Sequence, residues 1–176
     1  MKYISSDTNI WIDFYSIQRL ELPFRLDYTF LMSKEVLERE LHSPVDLLEK
    51  LIEAGLKQIE IDEKEYFLAI EYRSKYHRLS IADAVSLAIA KNRSIILLSG
   101  DGALRKAAQT EGVPIKGTIW LFDELLSSKL ISSEEYLDAM LDLKKQQEYG
   151  RRLPIKELDI RIQHLKSLKV NTKTEN

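Results

Sequence analysis

Two hydrophobic rhythms alternate along the chain. Short runs of apolar and β-favouring residues predict strands at Lys2–Ser5, Asp27–Met32 (D-Y-T-F-L-M), Leu56–Ile61, Ser94–Leu98 and Val113–Ile115. Between them apolar residues recur every three or four positions, which predicts helices over Asn9–Arg19, Lys34–His42, Pro44–Ala54, Glu63–Tyr76, Ser80–Lys91 and Gly102–Thr110. In Glu63–Tyr76 the expected apolar stripe is Tyr66, Phe67 and Ile70, and in Ser80–Lys91 it is Ile81, Ala84, Val85 and Ala88. Pro23 breaks the chain within Leu20–Arg25, and Gly55 stops the third helix. Beyond the last strand, Thr118–Ser127 is a strongly apolar helix. Ser132 and Glu135 have the spacing of a capping box that opens the next helix, to about Gln147. After a break at Gly150–Pro154, Ile155–Leu168 is a last amphipathic helix, followed by the polar stretch Val170–Asn176.

Strands alternating with helices predict an α/β three-layer sandwich, a short and mainly parallel central sheet of about four strands flanked by helices, with further helices at the C-terminal end. The expected division is a main domain over residues 1–150 and a basic helical extension over 151–176 packed on it. In such sheets ligands bind beyond the carboxyl ends of the strands. Asp7 and Asp101 each follow a predicted strand directly, so topology alone puts both on that edge.

Composition narrows the classes. A chain of 176 residues, 44% hydrophobic and 31% charged, is large enough for one globular domain with a real core. No apolar run approaches the roughly 18–20 residues of a membrane span. The start M-K-Y-I-S-S-D has no apolar leader segment, so the expected location is the cytoplasm, with no membrane partner. The absence of cysteine excludes disulfides, thiolate metal sites and a cysteine nucleophile. Net charge is −2, but from Lys144 onward nine basic residues face four acidic ones, a local +5 that leaves −7 on Met1–Leu143. Such a basic tail either meets a polyanion or packs on its own acidic body.

The candidate chemistry is carboxylate chemistry. Asp7, Asp83 and Asp101 each stand at a predicted helix start. Taken singly, each has a local explanation: Asp7 and Asp101 as N-caps, Asp83 as the acid of a Ser80-x-x-Asp83 capping box. Taken together on one sheet edge they would repel one another unless a cation lay between them. Oxygen donors without histidine or cysteine suit Mg²⁺ or Mn²⁺ rather than zinc. His42, His77 and His164 are scattered and show no ligand spacing. In the helix Lys34–His42, Val36, Leu37 and Leu41 should face inward. Glu40 then leans over the sheet edge, and Glu38 lies farther round the helix. Ser99, Thr8 and Asn9 flank the acids and suit a supporting tier that orients an acid or a water. Lys34, Arg39, Arg105 and Lys106 lie near the same edge, either to meet phosphates or as solvated helix-face charges. No G-x-S-x-G, G-x-G-x-x-G or P-loop occurs, which disfavours a serine hydrolase, a dinucleotide site and an NTP-hydrolysing site.

The strand ending in Asp7-Thr8-Asn9, the helix opening L-S-I-A-D-A (Leu79–Ala84) and the stretch I-I-L-L-S-G-D-G-A-L-R-K-A-A (Ile95–Ala108) together resemble the PIN-domain family. The likeness runs over Lys2–Leu126, and Gly117–Leu125 resembles the last core helix of one branch. The resemblance implies a Mg²⁺- or Mn²⁺-dependent endoribonuclease whose products carry a 5′-phosphate. Many small members are VapC-like toxins of toxin–antitoxin pairs, which implies RNA as substrate, a protein antitoxin as partner and a homodimer. Carried over by position, the metal-binding acids fall on Asp7, Asp83 and Asp101, with Ser99 at the Ser/Thr position before the last aspartate. The family's glutamate falls on Glu40 within Leu37–Leu41, with Glu38 as the alternative. The competing functions are a non-catalytic PIN-like binding module and a Mg²⁺-dependent hydrolase of small phosphoesters.

Overall fold

Among the described residues five strands form one all-parallel sheet: β1 (Lys2–Ser6), β2 (Tyr28–Ser33), β3 (Lys57–Ile59), β4 (Ile96–Leu98) and β5 (Ile115–Lys116), in the order β3-β2-β1-β4-β5. The structure, a computed structural model, describes residues 2–40, 44, 46–146 and 153–171, and of 38–40 and 168–171 the backbone alone. The strand count is five rather than about four because both short outer strands, of three and two residues, pair with their neighbours. The helices are α1 (Thr8–Ser16), α2 (Lys34–Glu40), α3 (Leu47–Ala54), α4 (Glu63–Lys75), α5 (Ile81–Asn92), α6 (Gly102–Thr110), α7 (Thr118–Ser127), α8 (Ser133–Gln146) and α9 (Ile155–Asn171). A 3₁₀ turn at Leu22–Arg25 accommodates Pro23. The expected inward residue Leu41 lies outside the described residues.

β1 is the central strand, with Ile4 opposite both Phe30 of β2 and Ile96 of β4. Alternate β1 residues serve opposite faces. On one, Ser6 Oγ accepts from Trp11 Nε1 at 3.1 Å, and the Trp11 ring stacks on Phe24 and meets Phe30 edge-on. On the other, Ser5 Oγ donates to the Ser86 carbonyl of α5 at 3.0 Å. That helix packs on β1, β2 and β4. Its residues Ala82 and Ala84–Ala90 are all buried, and four alanines let its backbone approach the sheet.

α4 corrects the sequence pattern. Tyr66, Phe67 and Ile70 are each more than half exposed, while Glu65, Ala69 and Tyr72 face inward. The buried charge is tolerated because it is fully engaged. Glu65 completes a capping box with Asp62, and Arg93 grips it through Nε at 2.6 Å and Nη2 at 2.9 Å. Burial pushes the Glu65 carboxyl up, but the Arg93 hydrogen bonds and charge and the Asp62 backbone outweigh it and hold the group below its usual range.

The chain divides into two compact units, Met1–Thr118 and Ile119–Asn176. The sheet and all the candidate aspartates belong to the first. Within the second, α9 packs on α8, and Asp123 of α7 gathers three helices on one carboxylate. It accepts from Arg161 of α9 (Nε to Oδ1 2.9 Å, Nη2 to Oδ2 2.6 Å) and from the Tyr136 hydroxyl of α8. No helix among the described residues is long and apolar enough to cross a membrane.

Candidate functional site

From β1 the sheet grows through β2 and β3 on one side and through β4 and β5 on the other. The strand order therefore reverses between β1 and β4, and the crevice beyond their carboxyl ends is where α/β sheets bind ligands. The Asp7 N–H donates to the Leu98 carbonyl at 2.9 Å, carrying the β1–β4 pairing up to that crevice.

Asp7 is 2% exposed and occupies the N-cap position of α1, yet its side chain makes no capping hydrogen bond. Its Oδ2 instead accepts from the Ser99 hydroxyl at 2.7 Å. Ser99 is fully buried just past β4, anchored by its own N–H on the Lys116 carbonyl at 3.0 Å. Its Oγ also accepts from the Asp101 N–H at 3.0 Å, so one hydroxyl ties two acids together from opposite sides of the crevice. Asn9 Nδ2 lies 3.4 Å from the same Asp7 oxygen, and Thr8 is buried at the first position of α1.

The other two acids do cap helices. Asp101 Oδ1 accepts from the N–H groups of Ala103 and Leu104, both at 2.8 Å. Asp83 Oδ2 accepts from the Ser80 N–H at 2.7 Å, and Ser80 Oγ accepts from the Asp83 N–H at 3.0 Å, a complete capping box. Each cap uses a single carboxylate oxygen. Burial pushes the Asp83 carboxyl up against the pull of the two Ser80 hydrogen bonds, and the charge of Asp101 adds to the rise. The two acids are thus within electrostatic reach of each other.

Among the described residues no three acidic, histidine or cysteine side chains converge, as they stand, in a group able to hold a metal ion. The side chains of Glu38 and Glu40 lie outside the described residues. Val36 and Leu37, both buried, show which face of α2 turns inward. His77 and His164 are exposed, and His42 lies outside the described residues.

The candidate cations separate clearly. Lys34 pairs with Glu60 at 2.8 Å, which turns it to β3's side of the sheet. The Arg39 side chain lies outside the described residues, and Lys106 is exposed on α6. Arg105 lies at the crevice, donating from Nη2 to the Ser99 carbonyl at 3.2 Å, beside Gly117. Gly117, for which the sequence pattern suggests no role, borders that guanidinium. It directly follows β5, which runs one residue beyond the predicted strand Val113–Ile115. Ile61, Tyr66, Ile70, Ile81 and Val85, with Glu35 of α2, line an apolar groove of about 510 Å³ along α4 and α5.

A PIN-domain family model (DUF3368) matches residues 3–166. No curated protein matches the sequence. Among solved structures, the chain is similar to one in the crystal structure of VapBC2 from Rickettsia felis bound to a DNA fragment from their promoter. The two share 18% identity at a TM-score of 0.47, over 66% of this chain and 98% of the other.

Proposed function

Because this chain belongs to the PIN-domain family, we propose that it is a divalent-metal-dependent endoribonuclease and that the crevice between β1 and β4 is its active site. One observation carries the reading. Asp7 is a buried carboxylate at the reversal of the strand order, held by Ser99 just past the neighbouring strand and not engaged in capping its own helix.

The donor set fits the expected ion in kind. Asp7, Asp83 and Asp101, with Glu40 or Glu38 as a fourth, offer oxygen alone, the donor that Mg²⁺ and Mn²⁺ prefer. A cation beside Asp83, whose carboxyl is raised by burial and by Asp101, would relieve that crowding. A bound divalent ion would supply charge to offset that developing on the phosphodiester and would acidify the attacking water.

The chain's own residues prepare that place. Ser99 orients Asp7 through its hydroxyl and Asp101 through its acceptance of the Asp101 N–H. The caps on α5 and α6 fix Asp83 and Asp101 through one oxygen each and leave the second oxygen to a ligand. Burial of Asp7 and Ser99 keeps bulk water from competing for these bonds. For protein partners, an antitoxin or a second copy, the support is the exposure of four large apolar side chains on α4 and α5: Tyr66, Phe67, Ile70 and Ile81.

The test sets structured RNA beside a chromogenic phosphomonoester, each with Mg²⁺, Mn²⁺ or EDTA. The expected outcome is RNA fragments with 5′-phosphate ends in either metal, none in EDTA, and no turnover of the monoester. Monoester turnover would make the protein a small-phosphoester hydrolase. Neither cleavage nor a metal-induced rise in melting temperature would make it a binding module.

A further inference from the structure

Next to the acids the crevice carries a cation that forms no ion pair among the described residues. Arg105 stands on α6 one turn beyond Asp101 and folds back over the end of β4, where Nη2 donates to the Ser99 carbonyl at 3.2 Å. That carbonyl belongs to the residue whose hydroxyl holds Asp7. Beyond it, between β5 and α7, is Gly117. A Cβ placed there would stand 3.3 Å from Arg105 Nη2 and 3.7 Å from the Ser99 carbonyl oxygen. The second distance is an ordinary contact and the first is not, so a methyl group at 117 would act on the guanidinium and on little else.

A guanidinium has five N–H donors in a planar fork, and here one is engaged by a neutral oxygen. Among the described residues Arg105 forms no ion pair, whereas Lys34 is tied to Glu60. The arginine is thus held in place without being neutralised. A crevice lined with carboxylates repels a polyanion, and a held cation at its margin offsets that repulsion and fixes where the backbone enters. Arginine forks pair with phosphate through two parallel hydrogen bonds.

We propose that Arg105 binds a backbone phosphate of the nucleic-acid strand on the β5 side of the acids, and that Gly117 is the positioning residue that keeps the guanidinium there. The identity of the ligand rests on the nuclease reading, but the test is a binding measurement that does not need cleavage.

A fluorescein-labelled single-stranded RNA is titrated in EDTA, over a range of salt, against the wild-type chain and Arg105→Gln, Arg105→Lys, Gly117→Ala and Arg105→Gln/Gly117→Ala, each checked for folding by melting temperature. Arg105→Gln should raise Kd about tenfold, the scale of one charged hydrogen-bonded contact. It should also flatten the slope of log K against log salt by about 0.7. Arg105→Lys, which keeps charge but not the fork, should bind with intermediate affinity and the full salt slope. Gly117→Ala should weaken binding several-fold in the wild-type background and add nothing on top of Arg105→Gln. A role confined to tying α6 to β4 would move melting temperatures and leave the salt slope alone. The proposal is overturned if the slope is unchanged, if the two substitutions add independently, or if the wild-type chain binds no RNA. Arg105-dependent binding without metal-dependent cleavage would overturn the nuclease reading and leave this one standing.

Discussion

At the scale of single residues, the three aspartates differ in what local structure asks of them. Asp101 and Asp83 serve helix starts, whereas the carboxylate of Asp7 is turned to a serine just past β4. Two substitutions at one position separate stability from chemistry. Asp101→Asn keeps an Oδ1 that accepts from Ala103 and Leu104, so its melting temperature should stay within a degree or two, roughly, of the wild type. The negative charge is gone, and metal-dependent RNA cleavage should fall by at least about a hundredfold. Asp101→Ala loses the charge and the cap together and should cost about 1 kcal/mol in addition. Urea melts beside cleavage rates for the two variants check this, and an active Asp101→Asn would remove Asp101 from the site.

At the scale of elements, Glu65 shows how a helix can turn a charge inward. The folded protein holds its carboxyl below the usual range, so its contribution is complete above the unfolded pKa and is lost as pH falls through the folded one. Glu65→Gln should therefore cost about 1.5–3 kcal/mol at neutral pH, the value of a charge-assisted hydrogen bond. The gap from wild type should begin to narrow below roughly pH 4.5. Denaturant midpoints at pH 7 and below pH 4 measure it, and a gap independent of pH would rule out the charged pair as its cause. The same helix marks the limit of what local pattern reveals. The start of α6 and the box that opens α8 are legible because cap and helix are neighbours in the chain. The orientation of α4 is not, because the residue that makes Glu65 welcome inside is Arg93, on the far end of the next helix. For the same reason the acids were visible as residue types and the Ser99 hydrogen bond to Asp7, spanning 92 positions, was not. Nor was the diversion of Lys34 to Glu60, which depends on β2 and β3 lying side by side.

At the scale of the molecule, each of the two units is held together internally by different means. The first rests on a buried sheet, and the second draws three helices onto Asp123. Arg161→Ala should cost the second unit about 1.5–3 kcal/mol. The expected signature is hydrogen exchange at least about tenfold faster in α9, with β1, β2 and β4 unchanged. Equal acceleration in both units would mean that they open as one. The central position of β1 also has a consequence in time. It is made before the other four strands of its sheet, and it waits for β2 on one side and, much longer, for β4 on the other. At a synthesis rate of about 5–20 residues per second, roughly 5–20 s separate Asp7 from Asp101 on the ribosome. Through that interval the emerging chain has one margin of its sheet and no assembled acid crevice. On the nuclease reading, a chain still being translated is harmless to the message that encodes it, and becomes dangerous only once β4 has closed against β1.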